Sequence, residues 1–128
     1  MGSHRDLLAP GSTANVMYDV LVERGAQDKK WGQQDHPDGT GSDERILTHT
    51  DVNLDLRTGA ELARIFKARC QGNSPEEDNW RDILLEEVFE AFAETDPAEL
   101  RDELIQVAAV AASWVEAIDR RQADRRVA

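Results

Sequence analysis

The segment Asp96-Pro97-Ala98-Glu99 divides the C-terminal part of this chain into two helices and turns one back along the other. An Asp cap accepts a first-turn amide, a proline at the first helical position surrenders only an amide with no intrahelical partner, and an acid three residues beyond the cap completes the box. The helix launched there is expected to reach about Arg120, with the basic tail from residue 120 to 126 ending it. Ser74-Pro75-Glu76-Glu77 repeats the device and predicts a helix to about Glu94. Upstream, Ser12 or Thr13 caps a first helix running toward Gln27, and another is expected from near Thr50 to Gly72, with Gly59 inside it. Residues 30–43, rich in Gly, Pro and Asp, read as a loop. No stretch alternates with the period of a strand, so the expected fold is an all-α bundle of about four helices.

With 128 residues there is room for one domain, expected over 12–122, with 1–11 a flexible N-terminus that includes a Gly-Ser-His cloning remnant and 123–128 a tail. Fifteen Lys and Arg against 26 Asp and Glu leave a net charge of −11, which argues against general binding to nucleic acid or anionic membrane. No apolar run is long enough to cross a bilayer and no secretory signal opens the chain, so a soluble, cytoplasmic protein is expected. The single Cys70 forbids an internal disulfide and a cysteine-rich zinc site.

Some of the acids sit where a solvated shell would not put them. In the last helix Leu100, Val107, Val110, Trp114 and Ile118 form a stripe, and Glu103 falls inside it with Gln106 one turn on. A carboxylate in an apolar stripe costs several kcal/mol unless it gains a proton, a cation or good hydrogen bonds, roughly as buried charges do elsewhere. Counting from the turn at Asp96, Glu90 is six residues before and Glu103 seven after, whereas Glu87 is nine before and Gln106 ten after. Antiparallel helices pair residues at similar distances from their turn, so these four should meet with an axial offset under about 2 Å at 1.5 Å per residue. Oxygen donors without Cys or His select a hard cation such as Mg²⁺. A di-iron bundle would need Glu-x-x-His pairs, and His4, His36 and His49 all fall outside these helices. Glu86, a step farther round, reads by itself as a solvated or salt-bridged residue. The wide apolar arc of the preceding helix, with Trp80, Leu84, Val88 and Ala91 beside Leu85, Phe89 and Phe92, predicts contact with a second subunit, so the bundle is expected to be completed as a homo-oligomer.

The stretch Glu86-Glu87-Val88-Phe89-Glu90, followed by Glu103-Leu104-Ile105-Gln106, resembles the Glu-Glu-x-x-Glu and Glu-x-x-Asp motifs of the MazG-like, all-α nucleoside triphosphate pyrophosphohydrolases. Lys29-Lys30-Trp31-Gly32-Gln33-Gln34-Asp35-His36-Pro37 is similar to the Trp-containing segment that precedes the first motif in that family. The resemblance implies Mg²⁺-dependent hydrolysis, with Mn²⁺ as a substitute, between the α and β phosphates of a nucleoside triphosphate, removing unwanted nucleotides. It implies Glu87, Glu90, Glu103 and Gln106 as metal ligands and Glu86 as a further ligand or proton acceptor. Trp31 and His36 become candidates for the base and Lys67 for a phosphate, alongside plainer roles as core plug, turn residue and solvated lysine. The Asp-Gly-Thr-Gly run at 38–41 hints weakly at a phosphate loop. Gln106 stands where the family has Asp, and a neutral amide binds a cation less tightly. That departure keeps open a catalytically weak module that binds nucleotide or a partner protein, and a purely structural helical module remains the third class.

Overall fold

The structure, a computed structural model, describes residues 9–46, 57–72 and 77–127. Four helices follow in order: α1 (Thr13–Trp31), α2 (Gly59–Gly72), α3 (Trp80–Ala93) and α4 (Pro97–Val127). No strand occurs among the described residues, so the all-helical expectation holds. None of the described helices is long and apolar enough to cross a membrane.

Four helix boundaries differ from the sequence expectation. The Ser74-Pro75 start falls outside the described residues apart from Glu77, and residues 77–79 are not helical. Instead Asn79 caps α3, its side-chain oxygen accepting the Asp82 amide at 2.8 Å. The Trp80 and Arg81 amides donate to the carbonyls of Pro37 and Asp38, so a distant loop satisfies the donors that a helix start leaves open. Gly39, at φ 75°, lets this loop lie against Asn79; a Cβ there would meet the Asn79 side chain at 2.7 Å. The start of the 38–41 run thus serves as part of the cap of α3. Likewise Gly59 opens α2 instead of interrupting it, with the Thr58 hydroxyl accepting the Glu61 amide; the expected start near Thr50 lies outside the described residues. Helices α1 and α4 outrun their expected ends, to Trp31 and Val127, whereas the Asp96 cap forms as expected, accepting the Glu99 amide at 3.0 Å.

The chain divides into two compact units, 1–34 with 105–128, and 35–104. In the second, α2 packs along α3. They run antiparallel: Gly59 meets the backbone at Phe92 and Ala93, Phe66 stacks on Phe89 at 5.5 Å, and Arg69 reaches Asp82. Leu62, Ala63, Phe66, Trp80 and Ala91 form the buried apolar layer. Asp82 is buried to 2% exposure, held by Arg69 at 3.1 Å and Arg81 at 3.0 Å. Those arginines also donate to the carbonyls of Ile46 and Gly39, so one carboxylate ties the loop to the start of α3. In the first unit Arg24 of α1 donates through Nε and Nη2 to the Glu116 carboxylate of α4 at 3.0 and 2.8 Å, and also to Gln27 and Asp28. The hydrogen bond from Arg24 holds the Glu116 carboxyl below its usual range. Ala109, Val110, Ser113 and Ala117 are the buried side of this part of α4.

Replacing Asp82 by Ala leaves the largely buried Arg81 and its neighbour Arg69 without their counter-charge. A loss of about 3 kcal/mol in unfolding free energy is expected from denaturant melts, as for other buried ion pairs stripped of one partner. A loss below about 0.5 kcal/mol, typical of an exposed pair, would show that the triad does not hold the loop.

Candidate functional site

Helices α3 and α4 are joined by a three-residue turn, and their facing sides carry the carboxylates. Glu87 and Glu90 are one turn apart on α3, and Glu103 lies on α4 seven residues past the cap. One carboxylate oxygen from each of the three lies within 4.8 Å of the other two. All three side chains are half-buried. Oxygens sharing one Mg²⁺ at its usual bond length stand at most about 4.2 Å apart, so small rotations of these side chains suffice to bring them onto a cation. The donor set is all carboxylate oxygen, which suits a hard divalent cation over a soft one.

The electrostatics carry the same message. Burial, then the neighbouring Glu90 and Glu103, push the Glu87 carboxyl up to about 8. Burial first and Glu90 second also raise Glu103 and Glu86 above the usual carboxylate range. Glu86 lies toward α2, where the Cys70 thiol hydrogen-bonds its carboxylate and the Lys67 ammonium offsets part of the rise. Cys70 itself is pushed up to about 12 by burial and then by Glu86, so its sulfur is a thiol donor and not a thiolate.

The other sequence candidates are distributed differently. Lys67 is exposed on α2 and is brought beside Glu86. His36 packs edge-on against Trp80 at 5.0 Å, with both ring nitrogens buried and without a hydrogen-bond partner. Trp80 precedes Glu87 by seven residues, so His36 is placed at the start of α3, about 10 Å along the axis from the carboxylates. Trp31 is the last residue of α1 and not part of a loop; it is 60% exposed, with the Lys30 ammonium 4.8 Å from its ring centre. It belongs to the other compact unit, as does Gln106, which follows Glu103 by three residues on α4.

Sequence reasoning missed Asp82 and Arg24. Each looks like an ordinary helix-surface charge, and only its long-range partners, Arg69 for one and Glu116 for the other, make burial affordable. Arg24 and Glu116, with Ser113 and Arg120, also line a polar cavity of about 280 Å³, in which the Arg24 guanidinium donates to Glu116, Gln27 and Asp28. Comparison with family models, with curated proteins and with solved structures returns no match.

The raised Glu87 sets a pH dependence whose sign is fixed. Folded protein retains a proton on Glu87 that the unfolded chain releases near its usual carboxylate value, so this group favours the fold most at low pH. Metal-free Tm should fall as pH rises from about 5 to about 8, and Glu87→Gln should flatten that fall. A divalent cation must displace the same proton, so the Tm gain on adding Mg²⁺ or Mn²⁺ should grow over the same interval. A cation-induced gain equal at pH 5.5 and 8.5 would count against binding at these carboxylates.

Proposed function

We propose that this chain is a Mg²⁺-dependent nucleoside triphosphate pyrophosphohydrolase of the MazG-like type, releasing nucleoside monophosphate and pyrophosphate and so clearing unwanted nucleotides from the cytoplasmic pool. The observation that supports it most is the convergence of Glu87, Glu90 and Glu103 from the two helices that bear the Glu-Glu-x-x-Glu and Glu-x-x-Gln segments. These three carboxylates would hold the ion, with Mn²⁺ an acceptable substitute. Bound there, Mg²⁺ supplies charge neutralisation for the triphosphate and acidification of the attacking water.

The remaining roles fall to the protein's own side chains. Glu86 is suited to accept the proton of a water attacking the α-phosphorus as the bond to the β-phosphate breaks, because its raised carboxyl is a stronger base than an exposed glutamate. Lys67, beside Glu86, can meet a phosphate oxygen as a point charge. His36 offers an imidazole at the α3 start. Self-association belongs to this reading, supported by Phe92, which stays 67% exposed at the end of α3.

Purified protein with Mg²⁺ and the standard and deoxy nucleoside triphosphates should release pyrophosphate from at least one of them; no release from any rejects the proposal. Glu90→Gln and Glu103→Gln should each lower turnover by at least about 100-fold with helical circular dichroism unchanged, since even residues behind the ligands cost 10–100-fold. The neutral Gln106 favours one alternative, a weakly catalytic module that binds nucleotide or a partner. Under that alternative calorimetry finds nucleotide binding without product, and Gln106→Asp gains activity.

A further inference from the structure

Helix α1 is amphipathic in the wrong sense. The side it packs carries Val16, Asp19, Val20, Glu23, Arg24 and Gln27, all partly or fully buried. The opposite side carries Ala14, Met17, Tyr18, Leu21, Val22 and Gly25, and every one of these is exposed. The large ones are far from marginal: Met17 is 53% exposed, Tyr18 51%, Leu21 69% and Val22 54%. Six apolar or small residues at helical spacing, with no charge among them, form a stripe nearly three turns long. Such a stripe left in water is unfavourable, and contiguous exposed apolar surface of this kind marks an interaction site.

We infer that a second copy of this chain covers the stripe, with the two α1 helices antiparallel about a twofold axis between residues 19 and 20. Self-pairing fits because the stripe is complementary to itself in that register. Residues whose numbers sum to 39 then face each other, so Tyr18 meets Leu21, Met17 meets Val22, and Ala14 meets Gly25. Bulky side chains fill the centre, and the two small residues let the helix ends close in. Charge also agrees with this register. Asp19, Glu23, Arg24, Asp28 and Lys29 come level with Val20, Val16, Asn15, Gly11 and Pro10, so no like charges oppose each other. Asp28 of each copy arrives at the N-terminal end of the other's α1, where the helix dipole favours an anion. A parallel pairing would instead set Asp28, Lys29 and Lys30 against themselves. This assignment rests on the self-association named above and not on catalysis.

Two experiments test it on the full chain. Light scattering over a concentration series should give twice the 14.3 kDa chain mass for the wild type, halved in Leu21→Glu with helical circular dichroism retained. Leu21 is solvent-exposed in the single chain, so the substitution leaves the protomer fold intact. In a Cys70→Ser background, Ala14→Cys and Gly25→Cys should each fail to cross-link alone, because the paired copies of one site lie about 16 Å apart along the axis. Mixed in equal amounts they should give a disulfide-linked dimer. No added Cβ at Gly25 meets an atom of its own chain within 4 Å, so the cysteine is accommodated. A monomeric wild type overturns both the surface and self-association. A dimer that survives Leu21→Glu, or that cross-links through Ala14→Cys alone, overturns the surface or its register while leaving self-association standing.

Discussion

Three carboxylates held within 4.8 Å of one another repel, and the fold around them is what keeps them together. The main influences on Glu87 and Glu103 are burial and the neighbouring carboxylates, and both raise the proton affinity of these groups. Lys67 offsets part of the rise at Glu86, at the edge of the group, and every large influence on Glu87 raises its pKa. Protons or a cation must therefore complete the site. A rigid support is needed as well, because flexible glutamates would otherwise swing apart into water. The Asp96 cap and the short turn fix the α3–α4 register, and the α2–α3 pair fixes the side of α3 that is left to carry Glu87 and Glu90.

That support is polar as much as apolar. Asp82 gathers Arg69 and Arg81, and through them the carbonyls of Ile46 and Gly39, at the start of α3. The Pro37 and Asp38 carbonyls close the first amides of the same helix. One end of α3 is thus pinned by a loop and one buried ion group, the middle by Phe66 on Phe89, and the other end by the close approach of Gly59. Functional carboxylates placed on a helix held in this way have little freedom to drift, which is what a cation site requires.

How much of this the sequence revealed depended on the range of the interaction responsible. The Asp96 cap is a contact over three residues, and it could be read directly. The meeting of Glu90 with Glu103 followed from that cap plus helix geometry, so the core of the site was legible too. Ser74-Pro75 carried an equally good local signal, yet α3 begins at Trp80, because loop carbonyls some forty residues away and the Asn79 side chain supply the better start. Asp82, Arg24 and the cap at Gly39 depend on partners distant in sequence and left no local trace. On α1 Arg24 draws the polar side inward through Glu116 and leaves Met17, Tyr18 and Leu21 outside, which no local signal in that helix announces.

The most direct measurement is a titration of the metal-free protein with Mn²⁺ near pH 8, following loss of the free-ion electron paramagnetic resonance signal. Saturable uptake by the wild type, lost in a folded variant carrying both Glu90→Gln and Glu103→Gln, is the expected result. Equal uptake by the two proteins would contradict a cation site built from these carboxylates.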